Sequence, residues 1–261
     1  MAAALMGPIL AVLMAIWPPG TALGLDAGTG LNPAGGGVLA ERLADWPEWS
    51  LPAPLPRPGR RDLVYPDVFE GTWEVRSEEV APGSIAPLTY RVRFARNRRS
   101  ELVGDRAFNA AQVGKALLGP QLLTVANDPV NPNRQLATLQ GDLSLESTVV
   151  GRRTEAAVGD RFIADELALQ VVHGPGGTRI SRVETLTRYE LAVLPSGPGP
   201  SGTASSAGFD QPGRLRALQW QATYPSPEDG LAAVPLSTHR FSLDLQRIPT
   251  TPLPASEGQV S

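Results

Sequence analysis

Residues 65–75 read YPDVFEGTWEV. A Pro–Asp turn and a phenylalanine lead into Gly71, and Thr72-Trp73 then opens a run that alternates apolar and polar residues. That period of two recurs downstream. LTYRVRFAR (88–96) sets Leu88, Tyr90, Val92 and Phe94 against Arg91 and Arg93, which predicts a strand with one wet face. LQWQATY (218–224) sets Leu218, Trp220, Ala222 and Tyr224 against Gln219, Gln221 and Thr223. RFSLDLQ (240–246) sets Phe241, Leu243 and Leu245 against Arg240, Ser242, Asp244 and Gln246. DLSLESTVV (142–150) and DELALQVV (165–172) alternate less cleanly, and RVETLTRYELAVL (182–194) is long enough to bend or bulge. Residues 72–246 thus hold about nine or ten strand candidates joined by hairpin-length connections. Such a succession, without crossover helices, predicts a mainly β, antiparallel barrel or sandwich, and closure into a barrel removes aggregation-prone edges.

One short helix interrupts the strands. NAAQVGKALL (109–118) has helix-forming residues, Asn109 as the expected cap, and Gly119-Pro120 as a stop. NDPVNPNRQ (127–135) is dense in Asn and Pro and reads as an ordered turn. Gly174–Gly177 (GPGG) reads as a hairpin turn.

The flanks carry a different message. ALMGPILAVLMAIW (4–17) is apolar, is broken by Pro18-Pro19-Gly20, and is followed by a small-x-small site at Ala22-Leu23-Gly24. It is shorter than the roughly 20 residues that cross a bilayer, so a cleaved secretory signal over 1–24 is expected, leaving no transmembrane span in the mature chain. Residues 25–64 form a Pro/Gly-rich arm with a helical candidate at Val38–Asp45 and a Pro-rich linker at 52–61. Trp46 and Trp49 are expected to pin this arm onto the domain. The barrel domain follows at 65–248, with a flexible Gly/Ser-rich insertion at 196–213 and a disordered tail at 249–261.

Composition narrows the chemistry. The formal net charge of −3 over 261 residues argues against a nucleic-acid partner. Cysteine is absent, which removes disulfides, thiol nucleophiles, cysteine-ligated metals and a lipobox anchor. The two histidines, His173 and His239, stand alone, and neither HExxH nor GxSxG occurs. Glu78/Glu79 and Asp165/Glu166 are sequence neighbours, so on strands they point to opposite faces and cannot act on one atom. We therefore expect no metal, no cofactor and no catalytic residue.

Gly71-Thr72-Trp73 on the first strand resembles the Gly-x-Trp signature of the lipocalin/calycin superfamily. The resemblance implies a lipocalin-like barrel whose end is closed by Gly71 and Trp73, with an arginine of the last strand across the indole. Arg240 is assigned to that contact, with Arg247 as the alternative. The order YPDVFEGTWEV, Pro87-Leu88, GDRAFN (104–109), NDPVNPNRQ and VETLTRYE (183–190) is similar to an uncharacterised domain family of cyanobacteria and plant plastids. That resemblance covers residues 65–246 and implies an oxygenic phototroph and an exported location, thylakoid lumen or periplasm. It implies no activity.

Two non-catalytic functions compete. In the first, Tyr90, Phe94, Trp220 and Tyr224 face inward and hold a small hydrophobic molecule such as a pigment, quinone or lipid. In the second, the protein is an assembly or accessory factor for photosynthetic-complex proteins, with Arg91, Arg93, Asp105, Arg106, Asn131 and Arg134 as contacts. An open apolar interior favours the first and a packed interior favours the second.

Overall fold

The computed structural model describes residues 37–80, 86–155, 161–191, 213–230 and 234–249. The expected leader, nearly all of the 196–213 insertion and the tail from residue 250 lie outside the described residues. Ten strands form one antiparallel sheet. They are β1 (Gly71–Glu79), β2 (Leu88–Arg96), β3 (Leu102–Gly104), β4 (Leu122–Asn127), β5 (Arg134–Leu139), β6 (Leu143–Glu155), β7 (Arg161–Gly174), β8 (Gly177–Glu190), β9 (Arg214–Tyr224) and β10 (Ser237–Arg247). Two helices join them, α1 (Val38–Ala44) and α2 (Arg106–Leu118).

The order across the sheet is β3-β2-β1-β10-β9-β8-β7-β6-β5-β4. Consecutive strands other than β3 and β4 pair antiparallel, and the first and last long strands, β1 and β10, zip together with Trp73 opposite Arg247. The sheet curls into a half-barrel. Its edge strands β3 and β4 do not pair with each other, and α2 packs between β2 and β4 instead. Hydrogen-bonded closure fails because β3 is only three residues long and Asp105 ends it. The Asp105 carboxylate accepts from Phe108 N at 3.2 Å and starts α2 three residues before the cap expected at Asn109. Asn109 does another job. Its side chain accepts from Arg93 N (2.7 Å) and donates to Arg93 O (3.2 Å), clasping the helix to β2.

Each face of the sheet carries a packed apolar cluster. The concave face holds the main core, in which Tyr65 bridges the curl. Its ring lies 4.7 Å from Phe94 on β2 and 5.6 Å from Phe162 on β7, with Phe69 and Tyr189 completing the cluster. Each such buried side chain contributes roughly 1.5–3 kcal/mol. The convex face is covered by the N-terminal arm over β7–β9. Leu39 of α1 and Trp49 pack on Ile163, Leu186, Trp220, Ala222 and Tyr224. Trp46 meets Trp49 edge-on at 4.9 Å, and the Trp49 indole N–H donates to Arg42 O at 2.8 Å. Both tryptophans thus pin the arm as the sequence led us to expect.

Register corrects one expectation. Leu215 and Ala217 belong to the concave core, so Gln219, Gln221 and Thr223 share that face, and Trp220 and Tyr224 point the other way. Phe94 is buried inside as expected, and Tyr90 is half-buried on the same face. A second correction concerns the arginine facing Trp73. Trp73 is fully buried, and Arg247 lies 4.5 Å over its ring. Arg240 stands on the opposite face, 5.6 Å from Trp220.

Candidate functional site at the seam of the half-barrel

The open seam between β3 and the β4–β5 turn forms a cleft of about 340 Å³. One wall is the end of β3 and the start of α2, with Val103, Asp105 and Arg106. The other is the turn itself, with Asn127, Asp128 and Pro129.

The turn is ordered by its own side chains. Asp128 Oδ1 accepts from Val130 N (2.8 Å) and Asn131 N (2.9 Å), and Asn131 Oδ1 accepts from Asn133 N (3.0 Å). The backbone bonds from Val130 and Asn131 hold the Asp128 carboxyl below the usual carboxylate range. Arg134 reaches back to Asp128 (3.2 Å) and across to Glu146 on β6 (2.5 Å). Asn133 is fully buried. Its amide donates to Gly59 O and Arg61 O, and its oxygen accepts from Arg152 (2.6 Å), which staples the turn to the arm.

Beneath the cleft lies an ion network on the concave face. Arg106 sits between Asp62 (2.7 Å) and Glu166 (2.8 Å), and Arg152 donates to Glu166 (2.7 Å) and to Arg61 O (2.9 Å). Burial works against the charge on Arg106, but Glu166 and Asp62 overcome it and raise its pKa. Burial likewise opposes the Glu166 carboxylate, and Arg106 and Arg152 nevertheless hold it below its usual range. At the rim, Arg93 pairs with Asp105 (2.5 Å) and lies 4.5 Å over the Phe108 ring. Arg96 pairs with Asp67 (2.9 Å) and Glu70 (3.2 Å).

Of the six contact residues expected from sequence, Asp105 and Arg106 line the cleft, whereas Asn131 and Arg134 do not line it but brace Asp128 in the turn opposite. Arg93 braces Asp105. Arg91 is exposed on the outer face of β2, opposite Glu74, apart from the cleft. Asp62 escaped the sequence reading, and Asp128 was not singled out within its turn. Asp62 sits just past the Pro-rich linker, at the end of the arm, where no periodicity marks it, whereas the Asn/Pro density of 127–135 did mark the turn that Asp128 orders. The carboxylates of Asp62, Asp105, Asp128 and Glu166 are each engaged by a guanidinium or by backbone N–H groups. The cleft therefore presents a fixed pattern of charge and hydrogen bonds to a ligand.

A second, apolar cavity of about 100 Å³ lies under α2, against Gly114, Leu118, Leu122, Ala137 and Leu139. The helix approaches β4 so closely here that a Cβ at Gly114 would lie 2.6 Å from Leu122 Cδ2. Among the described residues no group of three His, Asp or Glu side chains converges on a metal-binding arrangement. Among them, too, no helix is long and apolar enough to cross a membrane.

Comparison with known proteins adds one relation. A family model described as a domain of unknown function (DUF6816) matches residues 80–247. No curated protein and no solved structure matches the chain.

Proposed function

The chain belongs to the DUF6816 family of domains of unknown function, and we propose that it is a non-catalytic accessory protein that docks an extended segment of a protein partner in the seam cleft. The observation that carries this reading is the convergence of Asp105 and Arg106 with Asn127, Asp128 and Pro132 of the turn on one cleft, at the seam where the edge strands β3 and β4 do not pair. A segment lying there meets ordered polar side chains and backbone groups of both walls, the chemistry of a specific polypeptide contact.

The filled interior supports this reading over a hydrophobic carrier. The concave face is occupied by Tyr65, Phe69, Phe94, Phe162 and Tyr189 in mutual contact. The apolar cavity under α2, about 100 Å³, falls short of the roughly 300–1,000 Å³ that small-molecule sites occupy. The apolar leader supports export, and the similarity to the cyanobacterial and plastid family supports a place among photosynthetic-complex proteins of the thylakoid lumen or periplasm.

The test is site-specific photo-cross-linking. Val130, 61% exposed on the turn, takes the cross-linker, and Ile180 on β8 serves as the control position. We expect one discrete, reproducible polypeptide adduct at 130, none at 180, and loss of the adduct with Asp128→Ala, which unties the turn. Equal capture at both positions would overturn the docking site. A hydrophobic molecule retained by protein purified from its own host would overturn the reading in favour of a carrier.

A further inference from the structure

The convex face carries a second charged feature that the seam does not use. Trp220 on β9 is 5% exposed and is flanked by two arginines from the strands on either side. Arg188 on β8 lies 5.5 Å from its ring and Arg240 on β10 lies 5.6 Å from it. Arg240 is the direct cross-strand neighbour of Trp220, and Arg188 is the diagonal one, opposite Leu218. Both guanidiniums therefore lean over one indole.

These two arginines differ from those of the seam. Arg106, Arg152 and Arg134 are each held by a carboxylate at hydrogen-bond distance. At Arg188 and Arg240 the Nε atom is buried and has no hydrogen-bond partner among the described residues. A buried donor left unpaired is unfavourable, more so when it is charged. The surroundings add to the imbalance. Burial lowers the pKa of Arg188, Arg161 and Arg240 push it the same way, and Glu190 alone opposes them. The cluster thus concentrates positive charge and inward-facing donors around an aromatic surface.

We propose that Arg188, Trp220 and Arg240 form a binding site for a phosphate-type oxyanion. Two guanidiniums set against the single carboxylate of Glu190 leave a net positive charge that an oxyanion matches. Their approach from different strands needs acceptor oxygens that diverge, which a tetrahedral phosphate supplies and a planar carboxylate does not. The source is either free phosphate or a lipid headgroup, and the chemistry of recognition is the same.

The experiment uses the full chain at constant ionic strength. Inorganic phosphate is titrated while the arginine Nε–Hε resonances are followed, with acetate as the planar comparison and the exposed Arg91 as the internal control. In parallel, the protein is sedimented with phosphatidylcholine vesicles with and without phosphatidic acid. We expect saturable shifts at Arg188 and Arg240, absent at Arg91, with phosphate bound at least tenfold tighter than acetate. Arg188→Gln and Arg240→Gln should each weaken binding at least tenfold. Arg240→Lys keeps the charge but loses the Nε donor, so it should weaken binding several-fold even if the Gln variants fold poorly. Saturable binding of free phosphate supports the site as a soluble-anion site. Binding only to vesicles containing phosphatidic acid, lost in Arg240→Lys, assigns it to a headgroup. Binding to neither, or shifts that track Arg91, would overturn it.

Discussion

Arg247, on the last strand, lies 4.5 Å over the ring of Trp73, on the first. The two residues are direct cross-strand partners, and the same guanidinium donates to Val68 O (2.6 Å) and to Glu70 O. Trp73 in turn donates its indole N–H to Phe69 O at 2.7 Å. One contact thereby ties the entry turn, the first strand and the end of the domain together.

Removing that tie should be measurable. Arg247→Ala loses an exposed cation–π contact and two hydrogen bonds to the turn, so we expect a loss of about 1–2 kcal/mol. Trp73→Ala opens a cavity in the core and should cost about 3–5 kcal/mol. Chemical denaturation of the two variants checks the ranking. Equal losses would show that Arg247 does more than brace the indole.

The ion network under the seam predicts an acid limb. The Glu166 carboxyl is held below its unfolded value of 4.5, so its contribution is present above that value and is lost as pH falls through the folded pKa. Stability should therefore drop on acidification, and Glu166→Gln should flatten the slope. Arg106→Gln, which strips Glu166 of one of its two arginines, should cost about 3–5 kcal/mol at neutral pH. Urea titrations at a series of pH values read both effects.

Asp165 predicts the opposite slope. It is 1% exposed on the convex face, its Oδ1 has no hydrogen-bond partner, and burial and then the neighbouring Glu184 push its carboxyl up to about 8 from 3.8. Its contribution is full below pH 3.8, where the unfolded chain is also protonated, and is lost as pH rises toward and through about 8. Asp165→Asn should remove that decline and raise the melting temperature at neutral pH. A variant less stable than the parent at pH 8 would show that the carboxylate has a partner it needs.

The arm should behave as part of the fold. Arg42 of α1 donates to both oxygens of the fully buried Glu184 (2.9 and 2.6 Å), the Tyr224 hydroxyl donates to Glu184 at 2.7 Å, and Trp49 is 2% exposed. Trp49→Ala should cost about 3–5 kcal/mol and should increase binding of a hydrophobic dye, because it uncovers Trp220 and Leu186. Dye fluorescence unchanged from the parent would mean that the arm stays seated without its tryptophan.

Much of this architecture can be read from the chain. Alternation in LTYRVRFAR, LQWQATY and RFSLDLQ reflects the pleat of a strand, and β2, β9 and β10 lie where it indicates. The turn at 127–135 follows from Asn and Pro chemistry. The start of α2 was misplaced because Asp105 and Asn109 are both good caps, and only the short β3 decides between them. The ion network was invisible because Asp62, Arg106, Arg152 and Glu166 are far apart in sequence and meet only when the sheet curls.

By itself, the sequence determined a mainly β, antiparallel chain of about nine or ten strands and the two faces of those that alternate cleanly, because a period of two is a local property of the backbone. It did not say which face is concave. The apolar set Leu218, Trp220, Ala222 and Tyr224 looked like an interior, yet it is the polar set Gln219, Gln221 and Thr223 that shares the concave side. The N-terminal arm buries the β7–β9 part of the convex face as the curl buries the concave one, so hydrophobicity no longer labels inside there. Only the register running from Trp73 through β10 to β9 settles the matter, and register is set by pairing between distant segments.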